Sequence, residues 1–152
     1  MDPQTHFMEG FSYDNDTQLV QEIYRRSDES SRLTKSKAAR VEFLTNVRYI
    51  ERYLTPGAKI LDIGAGAGVY SLYFSRRGYA VSALELADSN IQAFRRELTE
   101  DDRVDLVQGN ALDLSRYLDG SFDIVLLFGP LYHLHSEGDQ LRCIQEAKRV
   151  CK

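Results

Sequence analysis

The stretch Lys59-Ile-Leu-Asp-Ile-Gly-Ala-Gly-Ala-Gly68 decides the fold of this 152-residue chain. Its first half is a short, mostly apolar strand, and glycines then occupy the alternate positions Gly64, Gly66 and Gly68. A Gly-rich loop between a parallel strand and a helix presents backbone N–H groups and the positive helix end at the carboxyl edge of the sheet. Because glycine has no Cβ, a ligand can approach this backbone closely. The stretch therefore predicts a strand–loop–helix unit with a ligand at the loop.

Strands and helices alternate on the carboxyl side of this loop. The most apolar segment, residues 121–128, is typical of a strand that is buried on both faces. The predicted elements after the loop are a helix over 69–77, a strand over 79–84, a helix from Asp88 to about Leu98, a strand over 103–108, a helical turn over 113–118, the strand over 121–128 and a helix over 136–150. This order predicts an α/β fold with a doubly wound parallel sheet and right-handed crossovers.

Two amphipathic helices are predicted on the amino side, after a polar loop over 1–15. The first runs from Asp16, and its apolar residues at helical spacing are Leu19, Val20, Ile23 and Tyr24. The second spans 36–53, stops before Pro56-Gly57, and has along one face Val41, Leu44, Val47, Ile50 and Leu54. Residues 24–52 carry eight basic and four acidic side chains, which form either a solvated helix surface or an anion-binding cap over an active site.

An acidic residue at the end of the second predicted strand is the partner of the glycine loop. Glu85 lies 23 positions after Asp62, where a carboxylate can accept hydrogen bonds from both hydroxyls of a ribose. We therefore expect an adenosine-containing ligand that the loop and this carboxylate both face. A dinucleotide fingerprint needs a small residue where Val69 stands, and Asp62 would repel a pyrophosphate but suits an ammonium or sulfonium cation. These two features disfavour NAD as the ligand. A P-loop is excluded because no Gly-Lys-Ser/Thr sequence follows the glycines.

Composition narrows the class of protein. The formal net charge of −4, from 19 basic and 23 acidic residues, argues against a general nucleic-acid binder. Two cysteines, Cys143 and Cys151, are too few for a disulfide framework and fit a reducing cytosol. No run approaches the about 18 apolar residues of a membrane span, and the acidic start does not resemble a signal peptide. We expect a cytoplasmic protein that does not bind membranes.

Four motifs resemble those of class I S-adenosylmethionine-dependent methyltransferases, in their small-molecule-type bacterial branch. The resemblance covers roughly residues 36–150, and the motifs are Ile60–Gly68, Leu84-Glu-Leu86, Gln108-Gly-Asn-Ala111 and Phe122–Leu134. It implies a Rossmann-like sheet that binds S-adenosylmethionine and releases S-adenosylhomocysteine. The chain then divides into an N-terminal helical cap, 1–55, and a partial S-adenosylmethionine-binding domain, 56–152.

The resemblance also implies roles for individual residues. The methionine moiety would lie on the backbone of Gly64, Ala65, Gly66 and Gly68, with Asp62 helping to hold its amino group and Tyr70 covering the loop. Glu85 would bind the ribose. The adenine would meet Leu86, Asn110 (where the family usually has Asp) and Ala111, and the sulfonium region would lie beside Leu127 and Phe128. The candidates for a catalytic role are Tyr132 and His133, which follow the fourth strand.

His133-x-His135 has no nearby cysteine or acidic cluster and makes a poor metal site, so we expect no metal. No motif identifies the methyl acceptor, and the resemblance to the small-molecule-type branch implies that it is a small molecule. The alternative to a methyltransferase is a cofactor-binding or interaction module without catalytic activity.

The family's sheet has seven strands, and this chain contains only the first four, in the expected order 3-2-1-4. We therefore expect a form truncated after strand four that lacks strands five to seven. The fourth strand would then be an apolar, unpaired edge, and such edges pair readily with other chains. From this we expect a homodimer or a swapped assembly through the strand-four edge.

Overall fold

The computed structural model describes residues 13–26, 31–33 and 35–152, without the side chains of 13–16. The predicted loop over 1–15 falls mostly outside these residues, and its last three positions belong to the first helix. Five α-helices, four strands and one 3₁₀ helix follow in the described part. The helices are α1 (Tyr13–Arg25), α2 (Lys37–Glu51), α3 (Val69–Ser75), α4 (Asp88–Glu97) and α5 (Glu137–Val150), and the 3₁₀ helix is Pro130–Tyr132. The strands are β1 (Lys59–Ile63), β2 (Ala80–Glu85), β3 (Val104–Gln108) and β4 (Ile124–Leu126).

The four strands form one parallel sheet in the order β3-β2-β1-β4, which confirms the predicted topology. Strand β1 is central and buried along four of its five residues, which explains its apolar sequence. Asp62 pairs in register with Ala83, so Asp62 and Glu85 point to the same face of the sheet. The carboxyl ends of β1 and β2 thus bring the glycine loop and the carboxylate to one edge.

Apolar residues cover both faces of the sheet. On one face, Ile60 packs with residues of α2 and α3, among them Val47 and Phe74. On the other face, Leu61 and Ile63 pack with residues of α5, including Val150. This alternation along β1 fixes the register, because a slip by one residue would bring the buried carboxylate of Asp62 to the opposite face. None of the helices in the described part combines the length and apolar character needed to cross a bilayer.

The fourth strand is shorter than the predicted 121–128. Only Ile124–Leu126 pair with β1, and β4 is half-buried rather than buried on both faces. Phe122 instead forms a parallel bridge with Cys151: its N–H donates to the Val150 carbonyl at 3.0 Å, and the Lys152 N–H donates to its carbonyl at 2.9 Å. The segment before β4 is therefore paired within the chain at Phe122, and the apolar edge is shorter than the sequence predicts.

Two helical predictions are also corrected. On α2, Val47 and Ile50 are buried, but Val41 and Leu44 are 62% and 52% exposed, because the face that packs on the core runs through Phe43, Val47 and Ile50. The predicted helical turn over 113–118 consists of hydrogen-bonded turns. The Arg149 guanidinium donates to the carbonyls of Leu114 and Tyr117, which thus have side-chain partners outside a helix.

Candidate functional site

The glycine loop adopts positive φ at all three glycines, 72° at Gly64, 58° at Gly66 and 84° at Gly68. The reason for a missing side chain differs among them. A Cβ at Gly68 would lie 2.3 Å from the Phe94 ring, and one at Gly64 would lie 2.8 Å from Pro130. At Gly66 no atom lies within 4 Å of the place a Cβ would take. Gly64 and Gly68 therefore permit close packing, whereas Gly66 leaves open space beside its backbone.

Glu85 faces the glycine loop, as its position at the end of β2 predicts. Its side chain is buried, and Oε2 accepts from the Gly66 N–H at 2.8 Å. Oε1 accepts from the Ala87 N–H at 2.8 Å and from Nδ2 of Asn90 at 3.2 Å. These three donors satisfy most of the roughly four acceptor positions of a carboxylate and fix its orientation.

Asp62 is a buried carboxylate whose hydrogen-bond donors are neutral groups of Ser71. The hydroxyl of Ser71, one turn into α3, donates to its Oδ2 at 2.7 Å. The pKa of Asp62 is raised to about 6, chiefly because the carboxyl group is buried; the Ser71 hydrogen bonds oppose this rise, and the nearby Glu85 carboxylate adds to it. The described residues provide no ion pair to this carboxylate. A cation beside it would recover part of the free energy that its burial costs.

A cavity of about 700 Å³ lies between the sheet edge and helices α1 and α2. Most of the residues expected to bind the cofactor contribute to its wall: Asp62, Gly64, Ala65, Gly66, Tyr70, Glu85, Leu86, Asn110, Ala111 and Phe128. The two catalytic candidates, Tyr132 and His133, also line it. Two expected residues do not. Gly68 begins α3 against Phe94, and Leu127 packs in the core on the α5 face of the sheet.

The end of the cavity near β2 and β3 has a fixed backbone. The Gly109 N–H donates to the Glu85 carbonyl at 3.0 Å, which ties the segment after β3 to the end of β2. Oδ1 of Asn110 accepts from the Leu112 N–H at 2.9 Å, so this side chain caps its own turn. The Leu86 carbonyl accepts from Nε2 of Gln21 at 2.8 Å, and this bond brings α1 to the rim.

Helices α1 and α2 close the cavity through polar contacts with the sheet domain. The Asp88 N–H donates to Oε1 of Gln21 at 3.1 Å, beside the Leu86 contact. At the opposite end, the Tyr24 hydroxyl and Nε2 of His133 are 2.8 Å apart. From α2, Nδ2 of Asn46 donates to the Tyr70 hydroxyl at 2.9 Å. Helices α1 and α2 therefore contact the Leu86 end of the cavity, the catalytic candidate His133 and helix α3.

Sequence patterns missed several residues of the site. Ser71 and Asn90 lie within the helices that follow β1 and β2, where one turn of helix brings them back to the carboxylates. Gln21 and Asn46 are polar residues on helices for which the sequence predicts contacts only from apolar spacing. No sequence pattern pairs Gln21 with Leu86, 65 residues away, or Asn46 with Tyr70, 24 residues away. In residues 13–26, 31–33 and 35–152, no three His, Cys, Asp or Glu side chains form a metal-binding group.

The chain resembles known methyltransferases in sequence and in structure. It is 38% identical over 97 residues to a demethylmenaquinone methyltransferase of Clavibacter sepedonicus, an alignment that covers 63% of this chain and 38% of the relative. The PH0226 protein of Pyrococcus horikoshii superposes with a TM-score of 0.69 at 25% identity, over 86% of this chain and 61% of the other. The glycopeptide N-methyltransferase MtfA, solved with S-adenosylmethionine, superposes with a TM-score of 0.59 at 29% identity, over 71% and 45%.

The chain spans between 26% and 38% of the length of the first curated relatives it matches. The family model described as a methyltransferase domain matches residues 61–152, which include the last three residues of β1, the glycine loop, Glu85 and β4. With the predicted motifs at one sheet edge and more than half of the sequence matched, this chain belongs to the methyltransferase domain family.

Proposed function

We propose that this chain binds S-adenosylmethionine in the cavity at the carboxyl edge of the sheet and transfers its methyl group to a small molecule. The observation that carries the proposal is the meeting of Glu85 and Gly66 across 2.8 Å at the wall of the cavity. A carboxylate and a glycine backbone together suit a ribose next to a group that lies close to the chain. MtfA, a relative in structure, was solved with this cofactor.

The chemistry of the wall fits the cofactor. Asp62 is a buried carboxylate with neutral donors only, and it complements the methionine ammonium. The open space beside Gly66 gives the methionine moiety access to the backbone. Glu85 accepts from a ribose hydroxyl at the acceptor position that its three protein donors leave, and Leu86, Asn110 and Ala111 surround the adenine. Because Gly68 and Leu127 lie off the wall, we assign Gly68 to the packing of α3 and Leu127 to the core.

The chain's own groups align the reactants and exclude water. When bound, S-adenosylmethionine supplies a methyl group made electrophilic by the sulfonium. Phe128 and Tyr70, whose ring centroids are 5.0 Å apart, form an aromatic wall beside the loop. Tyr70 is held by Asn46 of the cap, so the cap and this wall are coupled. Alignment in a closed, dry site accounts for most of the acceleration of such a displacement.

Isothermal titration calorimetry with S-adenosylmethionine and with NAD tests the proposal. We expect binding of S-adenosylmethionine, weakened at least tenfold in Glu85→Gln, because the amide removes the negative charge and replaces one of the two accepting oxygens with a donor. Glu97→Gln, an exposed carboxylate of α4, is the matched control and should bind like the wild type. A preference for NAD would contradict the proposal. Binding without formation of S-adenosylhomocysteine from any acceptor would favour the non-catalytic module.

We further propose a domain division, a homodimeric assembly and a cytoplasmic location for this chain. Residues 1–55 form the cap and 56–152 the cofactor-binding unit, a division supported by the position of α1 and α2 on one side of the cavity. The β4 edge available for a homodimer is Ile124–Leu126, and light scattering at micromolar concentration tests it. Two free cysteines support a reducing, cytoplasmic location.

A further inference from the structure

Tyr24 and His133 meet across the cavity, although they are 109 residues apart in sequence. The Tyr24 hydroxyl lies 2.8 Å from Nε2 of His133, and the two rings meet edge to face with centroids 5.4 Å apart. One comes from α1 of the cap and the other from the segment after β4. Both line the cavity that also contains the glycine loop and Phe128.

We propose that Tyr24 and His133 form a proton-accepting pair for a methyl acceptor that reacts through a hydroxyl group. The inference rests on the proposed methyl transfer and specifies its acceptor. A hydroxyl is a weak nucleophile until it loses its proton, so a positioned base accelerates its methylation. Histidine is the side chain that exchanges a proton near neutral pH, and the tyrosine hydroxyl extends its reach into the cavity.

The proton and the bonds balance in one displacement. The acceptor hydroxyl donates its proton to the Tyr24 oxygen, while the proton of Tyr24 passes to Nε2 of His133. The acceptor oxygen forms a bond to the methyl carbon, and the carbon–sulfur bond breaks with its electron pair left on sulfur. The products are a methyl ether, neutral S-adenosylhomocysteine and an imidazolium that then releases its proton to solvent. Tyr24 touches the acceptor and is the catalytic residue; His133 acts through it.

The wall of the cavity contains other ionisable groups besides the pair. Arg32 and Glu42 face each other at 3.3 Å and form an ion pair. Asp139, in the first turn of α5, and Tyr132, on the 3₁₀ helix, complete the ionisable wall on the side of His133. Among the described residues that line the cavity, His133 is the single histidine.

The first test measures the state of His133 without any turnover. Nitrogen-15 NMR of the wild-type chain at about pH 8 should show Nε2 without a proton, as a hydrogen-bond acceptor from Tyr24 requires. Tyr24→Phe, which keeps the ring but removes the hydroxyl, should shift the Nε2 resonance. Tyr53→Phe removes an exposed hydroxyl on the surface at the end of α2 and should leave it unchanged. A proton on Nε2, or an unchanged resonance in Tyr24→Phe, would overturn the proposal.

The second test uses 4-nitrophenol, whose ionised form absorbs visible light, with S-adenosylhomocysteine in place of the charged cofactor. Bound to the wild type, the probe should ionise at least one pH unit below its free value, since the pair takes its proton. Tyr24→Phe and His133→Gln should both lose this shift, and a bound probe with no shift in the wild type would refute the pair. Titration of each variant with S-adenosylmethionine separates this outcome from a failure of cofactor binding. We expect both variants to keep their affinity for the cofactor.

Discussion

Replacing Asp62 with asparagine should make the ligand-free protein more stable at neutral pH and weaken its binding of S-adenosylmethionine. The carboxylate is buried, and its pKa is about 6 in the folded chain against an ordinary 3.8. Because the pKa is raised on folding, the stabilisation associated with the protonated acid is complete below pH 3.8 and is lost as the pH rises through 6. A shift of about 2 pKa units corresponds to about 3 kcal/mol of unfolding free energy between these limits.

Urea denaturation of the wild type and Asp62→Asn, at intervals from about pH 4 to about pH 8, measures this difference. Asparagine mimics the neutral acid, so the variant should gain about 3 kcal/mol relative to the wild type over this range. The asparagine amide adds a buried hydrogen-bond donor, and the free-energy cost of this donor does not vary with pH. The pH dependence of the stability difference therefore does not include it. Other titrating groups occur in both proteins, so their contributions cancel.

Asp123→Asn is the control with the opposite sign. Oδ1 and Oδ2 of Asp123 accept from Nζ of Lys152 and the Lys59 N–H, and these donors hold its pKa below the ordinary value. The ionised Asp123 carboxylate stabilises the fold above its ordinary pKa, and this stabilisation is lost as the pH falls through the lowered pKa of the folded chain. Asp123→Asn should therefore be destabilising at neutral pH. A wild-type minus Asp62→Asn difference that stays constant from about pH 4 to about pH 8 would refute the argument from burial.

The cofactor provides the second half of this prediction. A bound ammonium stabilises the ionised form of Asp62, so affinity for S-adenosylmethionine should fall about tenfold per pH unit below pH 6 in the wild type. Calorimetric titration of Asp62→Asn should give weaker binding at pH 8 with no such dependence. Equal affinities of the two proteins at pH 8 would remove Asp62 from the binding site.

Three further outcomes follow from the glycine loop and the core. Gly68→Ala should lower the unfolding free energy by about 2 kcal/mol or more, because its Cβ would lie 2.3 Å from the Phe94 ring at a positive φ; urea denaturation measures this. A Cβ at Gly66 would have no atom within 4 Å, so Gly66→Ala should cost only about 1 kcal/mol of stability. The same substitution should reduce the affinity for S-adenosylmethionine, measured by calorimetry, at least tenfold. An unchanged affinity would exclude contact of the cofactor with this backbone. Phe94→Ala should cost about 3–5 kcal/mol in the same denaturation assay, since the ring is fully buried, and a loss below about 1 kcal/mol would contradict its place in the core.

The sequence by itself determined the order of the strands, the parallel sheet and the edge at which the candidate site lies. Residues 59–68 combine strand periodicity with glycines at alternate positions, and this local pattern admits few backbone paths. Glu85 could be placed because parallel strands bring their carboxyl ends to the same edge. These inferences rest on short-range rules, and they succeed where local preference and the global fold agree.

Only the tertiary structure decided how the cap meets the sheet. The contact of Tyr24 with His133 and that of Asn46 with Tyr70 join helices to loops through side chains far apart in sequence. Apolar spacing predicted the helix α2 but placed Leu44 on its buried face, where the structure places Phe43. Both positions fit a helical spacing with Val47, and only the packing on the core selects between them. Burial, and with it the raised pKa of Asp62, is a property of everything that surrounds a residue, and no local pattern contains it.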